Sequence, residues 1–123
     1  MELLEIYADE QGETHFRRTS MHLETRNYAP PSAPVQVSAE RSTTTGFFLA
    51  APPGWDTEFH ATPRKQLVIL LSGRITMTVT DGETVEAGPG AFVLFDDAGS
   101  KGHLTQVQGS EEATFLLVGL AED

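Results

Sequence analysis

The chain has 123 residues, the size of a single domain, and 39% of them are apolar, enough for a packed core. Its formal charge of −10 repels phosphate backbones and anionic bilayers, which argues against nucleic acid and membrane as partners. With no cysteine, disulfides, thiolate catalysis and cysteine-bound metals are ruled out, so any metal rests on His, carboxylate, amide or hydroxyl groups.

The opening Met1-Glu2-Leu3-Leu4-Glu5 carries acids where a secretory leader carries bases, and a cytoplasmic protein is expected. Residues 2–8 and 13–25 can each supply strands, although 14–24 has a mixed pattern that would also hold a short helix. Residues 28–39 carry Pro30, Pro31 and Pro34 and read as an extended connection. Residues 44–51 are a further strand candidate. Beyond them, breakers at Pro52-Pro53-Gly54, Gly73, Asp81-Gly82, Gly88-Pro89-Gly90, Gly99, Gly102 and Gly109 leave strand-sized segments.

No apolar run is longer than residues 67–71, far below the roughly 20 residues a spanning helix needs. Short and bounded by breakers, this run reads as a strand buried on both faces, as do 91–95 and 114–120. In Arg74-Ile75-Thr76-Met77-Thr78-Val79-Thr80 the apolar side chains alternate with threonines, the period of a half-buried strand. Asp81-Gly82 then offers positive φ, and residues 84–86 resume on the other side of a hairpin. About nine or ten short strands with regular turn signals imply an all-β sandwich or barrel.

Residues 54–73 resemble the first motif of the cupin superfamily, which runs Gly, five residues, His-x-His, three or four residues, Glu, six residues, Gly. Gly54, His60 and Gly73 occupy the matching places. Thr62 stands where the second His would be, and Gln66 where the Glu would be. The second motif runs Gly, five residues, Pro-x-Gly, two residues, His. It is resembled by the stretch from Gly90 to His103, with Asp96 in place of Pro and the His two residues late. Gly88-Pro89-Gly90 looks like the sharp turn that precedes this strand in cupins. The resemblance covers about residues 44–120, with residues 2–25 as additional N-terminal strands. It implies one all-β domain, a cupin-type double-stranded β-helix or jelly-roll barrel, with its working site inside.

In the family the two His-x-His residues, the Glu and the later His converge on a divalent metal, so the resemblance implies a metal site at His60, Gln66 and His103. Residues two apart on a strand face the same way, so His60 and Thr62 point inward together, and even spacing lets Gln66 and His103 join them. Two imidazoles and an amide suit iron, zinc, nickel, copper or manganese, bound less tightly than by four ligands because no carboxylate is among them. Asp96 or Asp97 can supply that carboxylate. Asp96-Asp97-Ala98-Gly99 reads equally as a turn, the commoner role of such aspartates.

Thr62, Arg64, Trp55 and Lys101 are candidate substrate-binding residues, Arg64 and Lys101 being suited to a carboxylate. Trp55, Phe59 and Phe95 suit the apolar wall of a pocket, or ordinary core packing. His15 and His22 are seven apart, face opposite sides of any one strand and read as surface residues. The leading function is a metal-dependent enzyme of oxygenase, isomerase or lyase type acting on a small anionic organic molecule. The alternative is a non-catalytic small-molecule-binding cupin with a degenerate or absent metal site. Open sheet edges need cover, and residues 2–8 lack an obvious partner, so a homodimer with the N-terminal strands at its interface is expected.

Overall fold

The structure, a computed structural model, describes residues 1–121. Among them are eleven strands and no helix. In chain order they are β1 (Glu2–Ala8), β2 (Thr14–Ser20), β3 (Glu24–Arg26), β4 (Val35–Val37), β5 (Thr43–Ala51), β6 (Gln66–Ser72), β7 (Arg74–Val79), β8 (Thr84–Ala87), β9 (Phe92–Asp96), β10 (His103–Gln108) and β11 (Ala113–Leu120). No helix is long and apolar enough to cross a membrane.

The alternating segment forms β7 as its pattern demands. Ile75, Met77 and Val79 are buried, and Thr78 faces Thr84 of β8 across a turn in which Gly82 has positive φ. Residues 14–20 are strand and not helix. They pair with β1 residue by residue, from Glu2 opposite Ser20 to Ala8 opposite Thr14. The turn between them is closed by Asp9, whose Oδ1 accepts the Gln11 and Glu13 N–H groups at 2.9 and 3.0 Å. The proline-rich stretch is likewise more than a connection. Residues 35–37 form β4, which folds back on β3 with Glu24 opposite Val37.

Two sheets enclose the core. One has six strands in the order β2-β1-β9-β6-β11-β5, the other three in the order β10-β7-β8. Ile6, Val68, Leu70, Met77, Val93 and Phe115 meet between them, and burying each such side chain stabilises the fold by roughly 1.5–3 kcal/mol. The expectation that residues 67–71 and 114–120 are buried on both faces is corrected. In β6, Gln66, Val68 and Leu70 are buried whereas Leu71 is 45% exposed, because only one face of this sheet is backed by the other. In β9 Leu94 is covered on the outside by Leu3 and Leu120, so that strand is buried on both faces at its centre.

Two further features matter below. The outer face of the large sheet carries an apolar row in direct register, Phe48 opposite Leu116, Leu116 opposite Ile69, and Ile69 opposite Phe92. The first strand is not left for another chain. It lies inside its own sheet, antiparallel to β2 and parallel to β9.

Candidate functional site

The barrel holds a cavity of about 230 Å³ between the two sheets. The two expected histidines are brought together at one end of it by a backbone bridge. His60 N–H donates to the His103 carbonyl at 2.9 Å, and His103 N–H to the His60 carbonyl at 3.0 Å. Gly102 makes this approach possible. Its φ is +86°, and a Cβ there would collide with the backbone of His60. The two imidazole centroids lie 5.3 Å apart.

An aspartate lies beside each ring, but only one is hydrogen-bonded to it. Asp97 Oδ2 is 2.6 Å from His103 Nδ1, both residues being almost wholly buried, and Asp97 Oδ1 accepts the Thr62 N–H at 3.3 Å. Asp56 Oδ2 lies 2.7 Å from Nδ1 of the half-exposed His60 but has no hydrogen-bond partner, and that ring nitrogen is 3.3 Å from the Glu58 carbonyl oxygen instead. At His103 the carboxylate accepts the Nδ1 proton, which leaves Nε2 of that ring for another partner. The Phe95 ring stands edge-on to His103 at 4.4 Å and fixes its plane further.

Most of the other expected residues also line the cavity. Trp55, Thr62, Arg64, Gln66 and Phe95 do so together with His60 and His103. Thr62 does not offer a free hydroxyl, because Oγ1 donates to the Arg64 carbonyl at 2.7 Å. Lys101 lies outside the lining. Its ammonium pairs with Glu13 and its backbone N–H donates to the Gly12 carbonyl at 2.9 Å, so it fastens a loop to the β1–β2 turn. Phe59 is also outside the lining and 44% exposed. Asp96 points away toward Lys65 at 3.8 Å.

Asp97 closes a turn, its carbonyl accepting the Ser100 N–H at 3.1 Å, while both carboxylate oxygens are engaged by His103 and Thr62. The positioning of His103 by Asp97, and the place of Asp56 beside His60, were not foreseen in sequence. Thr105 was missed as well. It lies two residues beyond His103 on β10, lines the cavity, and its buried Oγ1 has no hydrogen-bond partner. Strand parity from His103 was the available signal for it. His22 is exposed, but His15 is only partly so, clamped between Asp9 at 2.7 Å and Asp81 at 2.8 Å. Those carboxylates, Asp9 before Asp81, raise its pKa above the ordinary histidine value.

Among the described residues no three His, Asp or Glu side chains converge on one point. The available donors are two imidazoles and the Gln66 amide, with no carboxylate lining the cavity to offset a divalent charge.

The sequence pattern of the family described as Cupin domain matches residues 47–119. No curated protein matches the chain. Among solved structures, a conserved protein of unknown function from Streptococcus pyogenes is 21% identical, with a TM-score of 0.51 over 85% of this chain and 76% of its own. A Neisseria meningitidis protein is 10% identical at a TM-score of 0.50, covering 67% and 84% of the two chains. The Cnp3 cupin domain of Schizosaccharomyces pombe is 13% identical at a TM-score of 0.50, covering 98% and 81%. At these identities the likeness is one of fold.

Proposed function

The chain belongs to the cupin domain family, with its jelly-roll fold, and from that premise we propose that the barrel binds a small organic molecule whose polar end rests on His60 and His103. The observation that carries this reading is the arrangement of the two rings. They are joined backbone to backbone, His103 is oriented by the buried Asp97, and both line an otherwise largely apolar cavity. A bare Nε2 accepts a proton from a ligand hydroxyl or acid, and a protonated ring donates to an anion. His103 is shielded from water, which strengthens whichever bond it makes.

A second reading, the metal-dependent enzyme, draws on the same Asp97–His103 pair, since metal-ligating histidines are commonly oriented this way. His60, Gln66 and His103 would be its ligands. One experiment separates the two. Untagged protein purified without chelator is analysed for iron, zinc, nickel, copper and manganese, and its denatured extract for organic molecules. An organic molecule retained by the wild type and lost in His103→Ala, without metal, is expected. Metal at one ion per chain, lost in the same variant, would sink the metal-free reading in favour of the enzyme.

Two accompanying proposals concern the molecule as a whole. One is a cytoplasmic location. Homodimerisation accords better with the apolar row on the large sheet than with β1, which is already paired.

A further inference from the structure

The cavity lining is graded in polarity. Phe47, His60, Pro63 and Arg64 are exposed and form its mouth, whereas His103, Gln66 and Thr105 are buried. The rest is closed by apolar side chains such as Leu70, Met77 and Phe115.

Charge is distributed unexpectedly for so acidic a chain. The formal net charge is −10, yet no Asp or Glu lines the cavity, and Arg64 is its one Lys or Arg. Among the described residues the Arg64 guanidinium makes a single hydrogen bond, from Nη1 to the neutral Thr45 Oγ1 at 3.0 Å, and no carboxylate pairs with it. An Arg fork left open at the mouth of an acid-free cavity is suited to a carboxylate. Thr105 is a second, independent sign. It is 5% exposed and its hydroxyl has no partner within the protein, although buried hydroxyls are nearly always satisfied.

Resting on the reading of the barrel as a ligand site, we propose that it takes a small organic monocarboxylate with an apolar body and one hydroxyl or keto oxygen. The carboxylate meets Arg64 beside His60 at the mouth, the neutral oxygen meets Thr105 beside His103 on β10, and the apolar body lies among Val68, Leu70, Phe115 and Leu117. Dicarboxylates and sugars are disfavoured, because the apolar walls leave their additional polar groups without partners.

Trp55 is the chain's single tryptophan and lines the cavity, so its emission reports binding directly. Straight-chain and phenylalkyl carboxylates are titrated alongside their hydroxy derivatives, their primary amides and the corresponding amines. The wild type is expected to bind acids over amides by roughly tenfold or more, a preference that Arg64→Gln abolishes. Hydroxy acids are expected to bind more tightly than plain acids, an advantage lost in Thr105→Val. Acids and amides binding equally would overturn the charge assignment while leaving the cavity as a ligand site. An undiminished hydroxy-acid advantage in Thr105→Val would overturn the role of that hydroxyl. If no member of any series binds, and each variant keeps the wild-type near-ultraviolet circular dichroism, the ligand-site reading fails too.

Discussion

Asp97 and His103 are packed out of solvent at 0% and 1% exposure, and each is the other's side-chain partner. Truncating the aspartate leaves the His103 Nδ1–H and the Thr62 N–H without acceptors. Asp97→Ala is therefore expected to lower stability by about 1–3 kcal/mol, the usual cost of stranding a buried polar group. Pairing Asp97→Leu with His103→Phe removes both polar partners and should recover part of that loss. Urea titrations measure both, and an Asp97→Ala protein as stable as the wild type would refute the arrangement. Sequence disclosed the histidines because His60 stands at a motif position and His103 two residues beyond one, but not how the aspartates lie beside them. Asp56 and Asp97 lie on loops, where side-chain direction follows no period, so only coordinates reveal which ring each one reaches.

At the level of elements, His15 joins two turns that belong to different sheets. Asp9 follows β1, Asp81 links β7 to β8, and the imidazole spans them. The His15 pKa is raised by hydrogen bonding to Asp9 and then to Asp81. That of Asp9 is lowered chiefly by His15, and that of Asp81 by the Glu83 backbone N–H and then His15. The stabilisation from His15 is complete below its unfolded value of 6.5 and fades as pH rises through the higher folded value. The aspartates contribute above their unfolded value of 3.8 and lose that contribution as pH falls through the lower folded values. The clasp thus works fully between pH 3.8 and 6.5. In a series of thermal melts, His15→Gln is expected to remove the decline above this window that the clasp contributes. An unchanged profile would mean that the contact carries no linkage.

The same level explains what pattern could and could not disclose. β7 and β8 were legible because alternation with a terminal Asp-Gly leaves a single reasonable conformation. β6 and β11 were legible as strands but not as to which face is covered, since a continuous apolar run looks alike whether backed on one side or two. β3 and β4 have only three residues each and are largely exposed, too short and too polar for periodicity to mark them.

Across the whole molecule, the order in which strands pair was hidden from the sequence. β1 was expected to lack a neighbour because its partner β9 is more than eighty residues away along the chain. With β1 accounted for, the exposed apolar row becomes the surface that needs cover. Phe48 is 75% exposed at its centre-facing edge strand, opposite Leu116. A charge-free row is complementary to a second copy of itself under two-fold symmetry. Light scattering is expected to give a dimer for the wild type and a monomer for Phe48→Glu, with chain stability altered by only about 0.5 kcal/mol. A monomeric wild type removes this proposal.

The residues that line the cavity all fall between Phe47 and Leu117, which invites the trimming of everything before β5. Yet Thr14 Oγ1 donates to the Gly102 carbonyl at 2.8 Å, Lys101 N–H donates to the Gly12 carbonyl, and β1 covers the edge of β9. A fragment beginning at residue 44 would keep every wall of the chamber and lose the brace that holds His103 against His60. It would also present a bare β9 edge to other copies, an invitation to aggregate. The smallest working version of this protein therefore has to retain its first twenty residues, although none of them touches the cavity.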